Sequence, residues 1–386
     1  MDKVRIGIIG MGNIGRFHAG YLLEGKVSRV ELVAVCSTSP HKLEDYKAKG
    51  LKVFGDGHEL IASGEIDAVI VATPHYQHTS LGIAAIEAGV HVMVEKPISA
   101  HKADAEKLIA AAQAKPEVKF GAMFQLRAEP RYAKIRQLLE GGELGDIVRM
   151  NWLVTDWFRS NAYYTSSAWR ATWKGEGGGV LINQCLHQLD VLQWLLGMPS
   201  KVTGHCQLGR FHNIETEDNV SVYLEWPNGA TGVFISSTGE LPGTNRFEIA
   251  GTRGKVVLED DKLTFYRNEV LADKWNETSK IGFAKPDMWT IDIPLTNADA
   301  PHAQFMQSFV DGILDNSPMS CQGEEGLGSI ELANMMLYSS LIGQTVDHPL
   351  DSVAYEAKLQ ELIKNSTFEK EVVEVSTEDF TKSFNR

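Results

Sequence analysis

Cysteine is scarce in this sequence, basic residues are dispersed, and long apolar runs are missing. Only four cysteines occur among 386 residues, at Cys36, Cys185, Cys206 and Cys321, and none forms a CxxC pair. That excludes a disulfide framework, a metal ribbon and a redox dithiol, and makes reduced thiols in a cytoplasmic protein the simplest expectation. Lys and Arg number 37 against 50 Asp and Glu, a net charge of -13, with no basic run of five or six. Such a surface repels phosphate backbones and anionic lipid, so nucleic acid and membrane are not expected as partners. A membrane-spanning helix needs about eighteen apolar residues; even Ala84 to Val94 is broken by Glu87 and His91. Met1 to Gly10 is too short and too interrupted an apolar run for a signal peptide.

What is present is ample core: 43% of residues are apolar, and the length suits two or three domains. Up to about residue 122, short β-branched runs alternate with helical patterns, as βαβ units on a parallel sheet require. Val4 to Ile9, Leu32 to Cys36, Ala68 to Thr73, Val90 to Val94 and Lys119 to Met123 read as strands. His78 to Ala88 and Ala103 to Ala114 read as helices. From about Ile147 strands dominate: Val148 to Trp157, then Val220 to Trp226 and Ala230 to Ser236 joined through Pro227, Asn228 and Gly229. An Asn-Gly step between alternating runs signals a hairpin, because both residues tolerate positive φ. Further turns are expected at Gly251 to Gly254 and at Asp260 and Asp261, with helices over Pro301 to Leu314 and Gly326 to Leu341. The expected architecture is α/β: a Rossmann dinucleotide-binding domain over 1–123, an α/β domain with a large, mostly antiparallel open sheet over 124–365, and a peripheral tail over 366–386.

Gly10-Met11-Gly12-Asn13-Ile14-Gly15 fits GxGxxG, and its place between a strand and an amphipathic helix at the start of a βαβ unit lifts it above a chance match. Gly10 permits the tight turn, Gly12 lets backbone approach a pyrophosphate, and Gly15 allows close packing of helix on strand. The bland alternative is an ordinary glycine turn. An NAD site usually ends its second strand in a carboxylate for the ribose. Here the strand ends in Cys36-Ser37-Thr38-Ser39, with Lys42 following. Hydroxyls and a cation suit a 2′-phosphate, so the pattern leans slightly towards NADP; NAD bound without the carboxylate is the alternative.

Glu95-Lys96-Pro97 closes a strand at the carboxyl edge of the sheet, where ligands bind in open α/β folds. A lysine there puts an ammonium beside a reacting oxygen, unless it is merely a surface residue paired with Glu95. Gly177-Gly178-Gly179 leads into Asn183, His187 and Asp190, which helical spacing places on one stripe opposite Cys185, Leu189, Leu192 and Leu196. A solvated helix face would look the same. The stripe offers too few ligands for a metal. Between Trp152 and Trp173 stand Trp157, Phe158, Tyr163, Tyr164 and Trp169 as well, against 9% aromatics in the whole chain. Arg159, Arg170 and Lys174 are interleaved, which suits the stacked C–H face and hydroxyls of a sugar ring; a core or a subunit interface is the other use for such residues.

Together these residues resemble the Gfo/Idh/MocA family of sugar and cyclitol dehydrogenases over nearly the whole chain. The motifs that carry the likeness are GxGxxG at Gly10 to Gly15, Ala72-Thr73-Pro74 to His78, Glu95-Lys96-Pro97, and the glycine run leading to His187. The resemblance implies Lys96 and His187 beside the reacting carbinol, and Thr73, Pro74, His78 and Glu95 around the dinucleotide. It implies a sugar, glycoside or cyclitol substrate held by Lys96, Arg159, Tyr163, Trp169, Arg170, Asn183 and His187; a ring hydroxyl such as C3 is the expected position, which the resemblance itself does not fix. It also implies a homodimer or homotetramer. One departure stands out: many members carry Asp where this chain has Asn183, and an amide does not titrate. Proton transfer then falls to His187. Two rival functions share the pattern, a glycosidase using transient ring oxidation by NAD and a non-catalytic nucleotide-sensing regulator.

Overall fold

The computed structural model describes residues 2–296 and 300–373, arranged around two sheets. The first comprises β1 (Val4–Ile9), β2 (Val30–Cys36), β3 (Lys52–Phe54), β4 (Ala68–Val71), β5 (His91–Val94) and β6 (Phe120–Ala122). They lie in the order β3-β2-β1-β4-β5-β6, every pair parallel. All four residues of β4 are buried, which is why it reads as an unbroken apolar run rather than an alternating one. The strand order reverses between β1 and β4, and a doubly wound sheet binds ligands in the crevice beyond its carboxyl ends there. Gly10 to Gly15, Thr73-Pro74 and Glu95-Lys96-Pro97 follow β1, β4 and β5 directly, so the fold brings three motifs to one edge.

The second sheet has nine strands: β7 (Ile147–Val154), β8 (Lys201–Leu208), β9 (Glu217–Glu225), β10 (Thr231–Ser237), β11 (Asn245–Gly251), β12 (Gly254–Glu259), β13 (Lys262–Asn268), β14 (Met288–Ile293) and β15 (Val346–Asp347). Their order is β14-β13-β12-β11-β7-β10-β9-β8-β15, antiparallel except for β7 beside β10. Along β7, Met150, Trp152 and Val154 point inward, and Trp152 stacks on Phe247 with ring centroids 4.1 Å apart. The hairpin at Asn228-Gly229 forms, with Gly229 at φ 84° and Trp226 N–H donating to the Ala230 carbonyl at 2.9 Å. Asp260 and Asp261 turn the next hairpin at φ 48° and 56°, the paired positive values of a tight two-residue loop. The strand expected to reach Trp157 ends at Val154, and the chain beyond it carries the aromatic-rich segment away from the sheet.

The helix Gly326–Ile342 ties β8 down, with Gly204 N–H donating to Ser339 Oγ at 2.9 Å. One continuous apolar core spans both sheets. No helix among the described residues is long and apolar enough to cross a membrane. Of the expected tail, residues 366–373 are described, and they are bonded to the body: Val373 N–H donates to the Thr165 carbonyl at 3.0 Å, and Lys370 Nζ to the Arg170 carbonyl. Residues 374–386 lie outside the described residues.

Candidate active site

The glycine turn is built as a phosphate cradle. Gly10 sits at φ +101°, and a Cβ there would meet the Ala72 carbonyl at 2.4 Å; one on Gly15 would meet the Gly10 carbonyl at 1.9 Å. Around Gly12 nothing lies within 4 Å of an added Cβ, so open space faces its backbone. The helix Asn13–Leu23 starts without a side-chain cap and without an acidic first turn, leaving its amides and dipole for an anion. Thr73 Oγ1 is buried with no hydrogen-bond partner at the same edge. These features fit a dinucleotide: Gly12, Asn13 and Ile14 would face the pyrophosphate, and Ser37 to Ser39 and Lys42 follow β2 where the ribose is expected. Ser37 Oγ already accepts from Ser39 N–H at 3.2 Å.

Pro74 caps the helix His75–Glu87, and the side chains of two other residues expected at the dinucleotide are engaged by the protein itself. His78 is 1% exposed and lies between two backbone carbonyls, Pro97 at 2.6 Å from Nδ1 and Thr73 at 2.7 Å from Nε2, one of which its neutral ring, with a single N–H, bonds at a time. Its imidazole pins the loop after β4 to the loop after β5. Glu95 is likewise buried: Oε1 lies 2.7 Å from His18 Nε2, and Oε2 accepts the Lys96 N–H at 3.1 Å. Burial alone would raise that carboxyl, yet the bond and charge of His18 hold it below the ordinary range. Both side chains position the Lys96 loop, because their polar atoms are spent on the protein.

Lys96 Nζ donates to the Asn183 backbone carbonyl at 2.9 Å, spanning 87 residues of sequence. Burial lowers its pKa, opposed by Glu95 and Glu176. His187 is 8% exposed; burial and then the Lys96 ammonium push its pKa well below the imidazole range, so it is neutral at physiological pH. Gln125 Nε2 lies 3.4 Å from His187 Nε2, and His187 Nδ1 has no partner. A neutral imidazole near a buried ammonium is a pairing suited to moving a proton off a hydroxyl while its oxygen is stabilised.

The stripe expected across Asn183, His187 and Asp190 divides in space. The helix begins only at Leu186, and Asn183 lies in the preceding turn. Glu217 shapes that turn: its Oε1 accepts from the Gly179 and Leu181 amides at 2.9 and 3.1 Å, and a Cβ on Gly179 would meet the Glu217 carbonyl at 2.0 Å. Asp190 points away from the site. It is wholly buried and takes a two-pronged bond from Arg127, at 2.8 and 2.7 Å, in the core under the helix.

Tyr163 gathers residues expected on the substrate side. Its hydroxyl receives Arg170 Nη1 at 2.6 Å, Gln184 Nε2 at 3.0 Å and Asn183 Nδ2 at 3.4 Å. Arg170 stacks on Tyr163 and Trp169, Arg159 lies over Trp157 and Tyr163, and Trp169 meets His75 edge to face at 5.6 Å. Trp152, Tyr164 and Trp173 are core instead. Sequence reasoning missed Gln125, His75, Gln184 and Glu176; of these only Glu176, directly before the glycine run, carried a positional signal. Among the described residues one group has metal-ligand proximity, His101, Asp104 and Glu356, where Lys107 Nζ already pairs with Asp104 at 2.7 Å.

Comparison with known proteins agrees with this geometry. Residues 4–122 match the oxidoreductase family model with an NAD-binding Rossmann fold, and residues 132–257 match the GFO/IDH/MocA C-terminal domain. The chain is 25% identical to myo-inositol 2-dehydrogenase of Thermotoga maritima over 335 residues, 84% of this chain and 92% of that one. The WlbA dehydrogenase of Bordetella pertussis, solved with NADH and UDP-GlcNAcA, superposes with a TM-score of 0.76 at 26% identity, over 90% of this chain and 100% of that one. Levoglucosan dehydrogenase in complex with NADH and L-sorbose shares the fold, with a TM-score of 0.76 at 20% identity over 91% and 100% of the two chains. Two matched domains covering more than half its length, in the family's order, make this chain an NAD-binding oxidoreductase of the Gfo/Idh/MocA family.

Proposed function

We propose that the chain transfers hydride between a secondary hydroxyl of a sugar, glycoside or cyclitol and NAD, with C3 as the ring position. The observation that carries this reading is the Lys96 ammonium bonded to the carbonyl of Asn183 at the carboxyl edge of the parallel sheet, with its charge acting on a neutral His187. In the oxidative direction His187 takes the hydroxyl proton, and Lys96 stabilises the negative charge that develops on the oxygen. The dinucleotide, when bound, supplies the hydride acceptor. Asn183 orients the hydroxyl, and Tyr163, Trp169, Arg159 and Arg170 receive the ring, their aromatic faces and cationic donors matching its C–H face and hydroxyls. The inositol dehydrogenase relative and the UDP-GlcNAcA-bound neighbour support a polyhydroxylated ring. The lean of Ser37 to Ser39 and Lys42 towards NADP gives way to NAD on the family match and the NADH in these neighbours.

In this reading residues 1–123 hold the dinucleotide, 124–365 hold the substrate, and 366–386 are a tail. The open nine-stranded sheet supports a homodimer or homotetramer, and four free cysteines, three of them buried, support a cytoplasmic setting. The deciding experiment supplies NAD to purified protein with a panel of glycosides and cyclitols and follows nicotinamide absorbance and product mass. Reduced cofactor and ketone in equal amounts are expected. Aglycone released with no net change in cofactor would replace this reading by a glycosidase, and binding without turnover by a regulator.

A further inference from the structure

Residue 183 is an amide in a place where an ionisable group would serve, and the structure has a buried carboxyl beside it. Glu176 is 2% exposed. Its Oε2 accepts the Ala171 N–H and its Oε1 accepts a hydrogen bond from Asn183 Nδ2, and among the described residues it forms no ion pair. Asn183 therefore joins two groups: its side chain is bonded to Glu176 and its main-chain carbonyl to Lys96 Nζ. With Nδ2 held by Glu176 and Tyr163, the amide oxygen is the acceptor Asn183 still offers, since it takes no hydrogen bond among the described residues.

We propose that Glu176 is a positioning residue that acts as the counter-charge keeping Lys96 an ammonium and as the clamp turning the Asn183 amide oxygen towards the reacting hydroxyl. The second half of this proposal rests on the dehydrogenase reading; the first does not. Burial raises the Glu176 carboxyl, and Arg170, the bonds from Ala171 and Asn183, and Lys96 draw it back towards the charged form; in return Glu176, joined to Lys96 through Asn183, opposes the lowering of the Lys96 ammonium by burial. Around Glu176 the other charged or titratable groups are Arg170 and Lys370, which attract it, Glu217, which repels it, and Tyr164 and His75 packed alongside. Around Lys96 they are Glu95, which supports the ammonium, Arg159 and Arg170, which oppose it, and His187, His75, His78, His302 and Cys185. Among these groups Glu95 and Glu176 oppose its deprotonation, and Glu95 is already engaged by His18.

Acetylation of Lys96 by limiting acetic anhydride across pH, read by peptide mass spectrometry on the full chain, follows its deprotonation without needing turnover. Glu176→Gln is expected to lower the midpoint by about one pH unit, and Glu176→Asp, which withdraws the charge by one methylene, by less. No shift in either variant overturns the counter-charge. On a substrate that is turned over, the Gln variant is expected to lose about tenfold in kcat/KM, with its alkaline limb displaced downward by the same interval as the labelling midpoint. An unmoved limb beside a shifted midpoint overturns the clamp and its part in turnover. A wild-type chain inert towards every polyol overturns the dehydrogenase reading and the clamp with it, and leaves the labelling result to decide the counter-charge.

Discussion

The ammonium of Lys96, at the end of β5 in the parallel sheet, donates at 2.9 Å to the main-chain carbonyl of Asn183, in the turn that leads into the helix bearing His187. That one bond joins the segment matched to the NAD-binding model with the segment matched to the C-terminal domain. The proposed reacting centre is thus assembled from both.

Lys96→Met removes the charge while keeping most of the side-chain volume. Turnover should fall about a hundred- to a thousandfold, the scale of losing one preorganised stabiliser of a developing oxyanion. NADH affinity, measured by fluorescence titration, should stay within a few-fold.

His187→Gln should lower kcat about a hundred- to ten-thousandfold, the usual worth of a positioned proton acceptor. Because burial and Lys96 depress its pKa, the wild-type imidazole is neutral through the neutral range. Its protonation should therefore not appear in a pH–rate profile near 6.5, the ordinary imidazole value, but only well below it. A His187-dependent limb at 6.5 would contradict this.

Gly12 and Gly15 should respond oppositely. At Gly12 the added atoms enter open space, so Gly12→Val should leave the melting temperature nearly unchanged and weaken NADH binding at least tenfold. At Gly15 a Cβ collides with the Gly10 carbonyl, so Gly15→Ala should lower stability by about 1–3 kcal/mol in urea titrations, the scale of overpacking.

Glu217 makes stability depend on pH in a stated direction. Burial raises its carboxyl from 4.5 to about 7, so the folded state holds a proton that the unfolded chain releases earlier. The resulting stabilisation is complete below 4.5 and is lost as pH rises through 7, with a slope of at most about 1.4 kcal/mol per pH unit. Urea titrations of Glu217→Gln and wild type from pH 4.5 to 8 should diverge over that window, the variant gaining relative stability, and then run parallel.

Asp190→Ala strips the two-pronged partner from the buried Arg127 guanidinium, leaving that charge with only Glu325, which bonds it from a more exposed position. The loss should be about 3–5 kcal/mol, as for a broken buried pair. A change within 1 kcal/mol in chemical denaturation would return Asp190 to a solvated helix face, contrary to its complete burial.

The order of elements was legible because strands, glycine turns and hairpins are written in local patterns: β-branched runs, GxGxxG, Asn228-Gly229. The dinucleotide edge was legible for the same reason, since a turn between strand and helix is a local object. His78, Glu95 and Asp190 were harder to read, because a motif marks that a residue matters without saying which atoms it faces. His78 lies between carbonyls 5 and 19 residues away, and Asp190 meets an arginine 63 residues back. Glu176 and Gln125 gain their relation to Asn183 and His187 only once the chain has turned back on itself.

Sequence by itself determined the two-sheet architecture and the nucleotide turn, because backbone propensity and apolar periodicity act over a few residues; the pairing of Lys96 with His187 was implied by the family resemblance. Tertiary structure alone decided which polar side chains face the crevice and which brace it from behind. Removing a carboxylate or an imidazole from water is tolerable only where a partner meets it, and those partners arrive from distant parts of the chain.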